Sequence, residues 1–183
     1  MGIFNFLNKK KPDDDFDICL LRIFEILSRN DEAVMGEVRE CISDTPTYFA
    51  EHQGDFDERG MEYSFGGEKW IRVIAAVDAM EKFGYAAELD HKEDAEEFAS
   101  ALTGILSANY IEFSLKNINF DPQKNIPDWV AQFNEYAGQS GITVMFIDID
   151  SDSYVLCAAQ TADYAEAAEI ASQIGLGISC RVE

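Results

Sequence analysis

Three aspartates at alternate positions form the string most suggestive of chemistry in this chain. Asp148, Asp150 and Asp152 come directly after an apolar stretch, interleaved with Ile149 and Ser151. Carboxylate oxygens are the ligands that divalent cations such as Ca²⁺ and Mg²⁺ prefer. Asp and Ser also favour tight turns, because their side chains hydrogen-bond the nearby backbone. We therefore predict a hairpin turn here and keep the three aspartates as metal-ligand candidates, with no metal site assigned.

This string resembles two known motifs, and neither resemblance extends far enough to imply an activity. An apolar strand followed by Asp-x-Asp resembles the motif of haloacid-dehalogenase-like phosphatases, which also need a downstream Ser or Thr, a Lys and an acidic pair. The chain ends at residue 183, 31 residues after Asp152, and none of those residues is a lysine. A calcium loop would need glycine in place of Ser153 and glutamate in place of Ala159.

Two further groups of acids occupy predicted surface positions. One lies in a loop rich in Gly and acid, predicted over residues 54–67. The other crowds a predicted helix start, where the helix dipole favours negative charge. We predict that a protein partner meets these two segments, and the predicted contact residues are Asp55, Asp57, Glu58, Glu93, Asp94 and Glu97.

The residue types needed for common catalytic sites are missing or badly placed. His52 and His91 are the only histidines, and no known signature puts a Ser or Cys beside either of them. The chain has no GxSxG, P-loop or dinucleotide-binding motif. We therefore predict a protein that is not an enzyme, with no catalytic residue and no cofactor.

The charge of the chain limits the partners it can have. Thirty-five acids against fourteen bases give a formal charge of −21. Lys9, Lys10 and Lys11 carry +3 of the basic charge, which leaves −24 on residues 13–183. Such a body repels phosphate backbones, so we predict no nucleic-acid binding. It attracts basic proteins, cationic ligands or divalent metals instead.

Residues 1–12 form a separate leader, in which four apolar residues precede the three lysines. Two alternatives stay open for residues 3–11: contact with an anionic membrane surface, or a leader that is flexible or docked on its own domain. No apolar run approaches the roughly 20 residues that a membrane span needs. The four cysteines show no metal-binding spacing, so we expect free thiols in a reducing compartment. These features predict a cytoplasmic protein.

Apolar spacing predicts a helical half over residues 13–107. Helices are expected over residues 16–29, 31–42 and 68–83, with a short helix opened by Thr45-Pro46. Residues 85–89 are expected to be extended, and Asp90 is expected to cap the following helix.

Residues 108–183 are predicted to form a second unit with the order βαββαβ. The predicted strands cover residues 110–116, 142–149, 154–159 and 178–182, and the helices follow Pro127 and Thr161. This order is the ferredoxin-like arrangement, with both helices on one sheet face. The fold class is therefore α+β, with the helical half packed on the ferredoxin-like unit. A homodimer through the sheet is the alternative way to cover its other face.

The best-known protein families with the ferredoxin-like arrangement need residues that this chain lacks. RNA-recognition domains need basic and aromatic residues on the strands, whereas the first predicted strand shows Glu112 and Ser114. Copper chaperones need Cys-x-x-Cys after that strand. An acylphosphatase-like site needs an arginine there, and residues 117–126 offer only Lys124.

Two short stretches and the lysine-ended leader carry a resemblance to a known class. The stretches are Leu89-Asp90-His91-Lys92-Glu93 and Ser153-Tyr154-Val155-Leu156. They resemble small uncharacterised bacterial domains of unknown function. The resemblance implies a bacterial accessory protein and no particular activity.

These observations lead to two functional predictions. The first is an acidic, non-enzymatic protein-interaction module, such as an inhibitor or immunity-type partner of a basic protein. The alternative is a regulatory domain that binds a small ligand or a divalent metal.

Overall fold

The structure is a computed structural model that describes residues 15–64 and 67–181. The predicted leader over residues 1–12 lies outside the described residues. Within them the α-helices are α1 (Phe16–Leu27), α2 (Glu32–Ser43), α3 (Thr45–Glu51), α4 (Gln53–Glu58), α5 (Gly67–Lys82), α6 (Ala95–Ala108), α7 (Ile126–Ala137) and α8 (Thr161–Ile174). The strands are β1 (Ala86–Asp90), β2 (Ile142–Ile147), β3 (Ser153–Gln160) and β4 (Ile178–Ser179). This content confirms the α+β class.

Local sequence signals explain most helix boundaries. Asp31 caps α2 by accepting hydrogen bonds from the N–H groups of Ala33 and Val34. Asn125 caps α7 at Asp128, and proline lies in its first turn. Two boundary predictions were wrong. The predicted loop over residues 54–67 begins with the helix α4, and Asp94 rather than Asp90 caps α6.

The four strands form one antiparallel sheet with the order β1-β3-β2-β4. The hairpin of β2 and β3 lies at its centre, with Phe146 opposite Leu156. β1 pairs with β3, and β4 pairs with β2 only through Phe146 and Ile147. The sheet takes β1 from before residue 107, so its backbone pairing crosses the predicted boundary between the two halves.

The ferredoxin-like arrangement is not confirmed, because the first strand predicted for it does not form. Residues 110–116 contain a turn, an irregular segment and the start of a 3-10 helix at Leu115–Asn117. Their side chains do alternate between buried and exposed, with Ile111 buried and Glu112 exposed. They pack against α6 and α7 instead of pairing with a strand. The exclusion of the known ferredoxin-like functions loses its structural basis with this strand.

Helices cover both faces of the sheet, contrary to the prediction that α7 and α8 share one face. Met145 and Ile147 face a core that includes residues of α1, α2, α5 and α8. Val144 and Phe146 face a second core, formed with α6 and α7 around Trp129 and Phe133. β2 is buried throughout, as expected for a strand covered on both sides. Among the described residues both sheet faces are therefore covered, which removes the reason given for the alternative of a homodimer through the sheet. Whether the protein forms a homodimer stays a prediction.

One buried ion pair joins three helical segments above the first of these cores. Arg72 of α5 donates from Nη1 to Asp17 Oδ1 of α1 at 2.8 Å and from Nε to Thr45 Oγ1 of α3 at 2.8 Å. Its Nη2 also bonds Glu68 Oε2 at 3.0 Å. Asp17 is only 1% exposed and Arg72 only 6%. The charges are therefore shielded from water, and each needs the hydrogen bonds that the other supplies.

Arg72→Met should destabilise the fold strongly, because it removes the guanidinium that faces a buried carboxylate. We expect the free energy of unfolding to fall by about 3–5 kcal/mol. Urea denaturation measures this loss. Arg22→Met is the matched control, since Arg22 forms ion pairs with Glu25 and Glu166 at the surface. Equal losses in the two variants would contradict the structural role given to Arg72.

The open edge of β2 is closed by a side chain where β4 stops. Asn134 of α7 donates from Nδ2 to the carbonyl of Val144 and accepts from its N–H, both at 2.8 Å. Farther along the same edge, Phe146 pairs with Ser179 of β4, and the N–H of Asp148 bonds the carbonyl of Gly177 at 2.8 Å. The amide of Asn134 thus takes the place of a neighbouring strand. An edge closed in this way does not recruit other chains.

Asn134→Ala should cost about 1–3 kcal/mol of stability, since two backbone groups of the buried Val144 lose their partners. Chemical denaturation measures the loss. Gln132→Ala, on the same helix, removes an exposed hydrogen bond to the carbonyl of Asn119 and is the control. That variant should stay within about 0.5 kcal/mol of the wild type. The interpretation fails if Asn134→Ala is as stable as Gln132→Ala.

Candidate functional site

Acidic side chains converge on a groove at one end of the sheet, where β1 ends and the chain turns from β2 into β3. The groove encloses about 490 Å³. Its carboxylates come from three separate segments, namely α4, β1 and the turn between β2 and β3, and are Glu58, Glu88, Asp90, Asp150 and Asp152. Its apolar lining consists of Met61, Trp70, Ile74 and Ile149. Among the described residues Arg59 is the one basic residue of the lining, and we call this surface the acidic groove.

Tight turns bring these segments together. The chain reverses after α4 through Gly60, whose φ of +66° suits glycine. At the other wall Asp148 Oδ1 accepts the N–H of Asp150, which holds Asp150 in a left-handed conformation with φ of +54°. Aspartate tolerates that conformation better than most residues. The predicted hairpin turn of Asp and Ser is therefore confirmed.

Arg59 organises the groove by binding three carboxylates at once. Its Nε and Nη2 lie 2.9 and 2.5 Å from Asp78 Oδ1, its Nη1 lies 2.6 Å from Glu88 Oε2, and its Nη2 lies 3.2 Å from Glu81 Oε2. Ser153 donates to the other oxygen of Glu88. One guanidinium thus connects the end of α4 to α5 and β1, and through Glu88 to the start of β3.

The negative charge of this network exceeds what Arg59 neutralises. Burial raises the pKa of Asp78 above its ordinary value, although Arg59 opposes the shift. Burial also raises the pKa of Glu81, and the negative charge of Glu88 adds to that rise. Around the groove itself, five carboxylates against one guanidinium give a formal charge of −4. The potential there favours a cation.

A second cavity of about 410 Å³ lies on the other side of Glu58 and Arg59. His52 is stacked on Tyr48 there, with ring centroids 4.2 Å apart. The Nδ1 of His52 lies 3.5 Å from Asp55 Oδ2. Burial raises the pKa of Tyr48, which keeps its hydroxyl protonated at neutral pH. The predicted residues Asp55 and Glu58 both line this cavity.

The other predicted partner-binding residues do not line the acidic groove. Asp94 and Glu97 form a reciprocal capping box at the start of α6, which gives both side chains a structural task. The hydrogen bond with Glu97 raises the pKa of Glu93. Asp57 is exposed on α4. A role for these four residues in partner binding stays a prediction.

The three aspartates kept as metal candidates do not form a metal site together. In residues 15–64 and 67–181, no group of three or more His, Cys, Asp or Glu side chains lies where it could hold an ion. Asp148 serves the turn, and its Cβ lies against Gly177, where an added Cβ would come within 2.8 Å. Asp150 and Asp152 instead line the acidic groove.

Sequence reasoning missed the residues that organise the groove. Arg59 is the only basic residue between Arg39 and Lys69, and it follows the acidic segment that was singled out. A single arginine directly after an acidic segment was the one sequence signal that could have indicated an ion-pair network here. Asp78 and Glu81 lie on a helix that reads as apolar, and no local pattern shows that they meet Arg59 or Glu88.

The cysteines behave as predicted for free thiols. All four are unpaired with one another, and Cys41 and Cys157 are buried. Burial raises the pKa of each of these two thiols to about 12. They are therefore protonated and unreactive at neutral pH.

The fold and groove define an α+β domain with an acidic surface cavity, and the comparisons with known proteins assign its family. The family model described as Domain of unknown function (DUF6630) matches residues 19–182, so the chain belongs to that family. The predicted resemblance to a domain of unknown function is thus confirmed. Neither the comparison with curated proteins nor the one with solved structures gave a match. In the described part of the chain, every helix is too short or too polar to cross a membrane.

Glu81→Gln should change how stability depends on pH. The folded protein holds the Glu81 proton more tightly than the unfolded chain, so ionising Glu81 costs stability as pH rises above its ordinary pKa of 4.5. Relative to the wild type, the variant should therefore gain stability as pH rises through and above this ordinary value. Urea denaturation at pH values on either side of it tests the gain. Glu135→Gln removes the same charge from an exposed position, and an identical pH trend there would contradict the cause given for Glu81.

Proposed function

We propose that this protein is a non-enzymatic binding module whose acidic groove receives a basic segment of a protein partner. The observation that carries the proposal is the convergence of carboxylates from three separate chain segments around one groove with a formal charge of −4. Acids that served only to keep the protein in solution could be spread evenly over its surface and would not need to meet around one groove. The negative charge of the body, −24 over residues 13–183, adds long-range attraction for the same partner.

The lining of the groove suits the side chains of arginine and lysine. Their charged heads meet the carboxylates of Glu58, Asp150 and Asp152, while their aliphatic stems lie against Trp70. Trp70 is partly exposed in the same lining. An aromatic face next to carboxylates favours a guanidinium through cation–π attraction. Arg59 is held by three carboxylates and so leaves the outer carboxylates for the incoming group.

A basic partner fits an inhibitor or immunity-type role. Charge complementarity of this kind chiefly raises the association rate and selects against acidic proteins. A compact acidic domain that covers a basic surface would thereby block it. We further propose a bacterial, cytoplasmic protein, on the basis of the sequence resemblance and the free thiols.

The alternative function is a regulatory domain for a small ligand. Cavities of about 410 and 490 Å³ fall within the size range of small-molecule sites, and this observation favours it. Divalent metals are less favoured, because the described residues include no group of three metal-binding side chains. A bound ligand would raise the melting temperature in a thermal-shift screen.

Binding of a fluorescent oligoarginine peptide tests the proposed function. We expect Glu58→Gln/Asp150→Asn/Asp152→Asn to weaken binding by about tenfold or more and to reduce its salt dependence, since three facing charges are lost. Anisotropy titrations at several salt concentrations measure both effects.

The control variant removes three exposed acids that lie outside the groove. It is Glu112→Gln/Glu135→Gln/Glu169→Gln, with the same change in net charge. Its affinity should stay close to that of the wild type. If both variants weaken binding equally, the peptide is attracted by overall charge, and the groove is not the site.

A further inference from the structure

The acidic groove lies at the end of the fold where the described chain begins. α1 starts at Phe16, and the Nζ of Lys69 lies 5.0 Å from the centre of the Phe16 ring. The next residue of α1, Asp17, bonds Arg72. Trp70, which lines the groove, lies between Lys69 and Arg72 in the first turns of α5. The chain before Phe16 therefore starts beside the same end of α5 that borders the groove.

The segment before Phe16 is chemically complementary to the groove. Lys9, Lys10 and Lys11 carry three positive charges on a chain that is otherwise strongly acidic. The groove presents a formal charge of −4 above an apolar lining. Ile3, Phe4, Phe6 and Leu7 provide apolar side chains directly before the lysines. The three lysines are therefore complementary in charge to the groove.

The length of chain between the lysines and α1 allows this contact. Lys11 precedes Phe16 by five residues and Lys9 by seven. At about 3.3 Å per extended residue, this tether spans roughly 16–23 Å. The groove lies across α5 from the start of α1, and a helix with its side chains is about 10–12 Å wide. The tether is thus long enough to pass around the end of α5.

We infer that the segment carrying Lys9, Lys10 and Lys11 docks in the acidic groove of its own chain and competes there with a basic partner. This inference rests on the proposed function of the groove and adds a regulator to it. A partner must displace the segment, so the affinity measured for the partner is lowered by the fraction of chains in which the groove is occupied. The local concentration supplied by a short tether makes such competition effective.

Carbodiimide cross-linking of the full chain, followed by peptide mass spectrometry, tests the contact directly. The reagent joins a lysine to a carboxylate only when they touch. We expect links from Lys9, Lys10 or Lys11 to Glu58, Asp150 or Asp152 within single chains at high dilution, and we expect high salt to suppress them. Lys124, which lies 3.9 Å from Asp128, gives a built-in positive control. Leader links that go only to acids outside the groove, or only between chains, would overturn the inference.

A second measurement uses Trp70 as a reporter of occupancy. Trp129 is buried, so acrylamide quenches mainly Trp70. Lys9→Gln/Lys10→Gln/Lys11→Gln should raise the quenching constant, whereas Lys116→Gln/Lys124→Gln should not. An unchanged constant in the first variant would count against docking. Binding of the leader to anionic vesicles with no protection of Trp70 would assign it to lipid instead and would also overturn the inference.

Oligoarginine binding separates failure of this inference from failure of the proposed function. If both hold, the triple Lys→Gln variant binds the peptide several-fold more tightly than the wild type. Equal binding by both chains, without leader cross-links, removes the inference and keeps the proposed function. Leader cross-links in the wild type, with no peptide binding even by the triple Lys→Gln variant, keep the docking and remove the proposed function.

Discussion

The buried contact between Arg72 and Asp17 fixes the helical layer on which the groove depends. Arg72 also bonds Thr45, so one guanidinium joins α1, α3 and α5 where water is excluded. A charge in that position is tolerable only when its partners are in place, which penalises any other arrangement of the three helices. The position of α5 then determines where Trp70, Asp78 and Glu81 lie. The buried contact between Arg72 and Asp17 therefore determines where these side chains lie at the surface.

A second guanidinium, that of Arg59, connects α5 to the other segments around the groove. Arg59 binds Asp78 and Glu81 on α5 and Glu88 on β1, and Glu88 also accepts from Ser153. The helical layer, the edge strand β1 and the start of β3 are thus joined at one point. The groove walls come from segments far apart in sequence, so no short peptide from this chain would reproduce them. Its acidic character is a property of the folded state.

Local patterns predicted helices well and strand pairing poorly, for a physical reason. The apolar residues of α1, α7 and α8 recur at the helical period and form the face that is buried, so their spacing predicts a helix directly. Alternation over residues 110–116 correctly predicted that Ile111 is buried and Glu112 exposed. It did not predict the hydrogen-bond partners of the backbone. This segment packs on helices, and Ala86–Asp90 pairs with β3 as the edge strand of the sheet instead. Groove residues such as Glu58 and Asp150 were noticed separately, but only the long-range fold shows that they meet.

The amide of Asn134 has a consequence for the order in which the protein is made. α7 precedes β2 in the chain, whereas β4 lies near its end. On the ribosome, synthesis runs from the N-terminus, so Asn134 emerges before the strand whose edge it covers. Val144 can be capped as soon as the β2–β3 hairpin closes, long before Ile178–Ser179 leaves the exit tunnel. Until β4 emerges, Val144 is already closed to strands of neighbouring polypeptides on the same polysome, and only the stretch from Phe146 to Asp148 stays open on that edge.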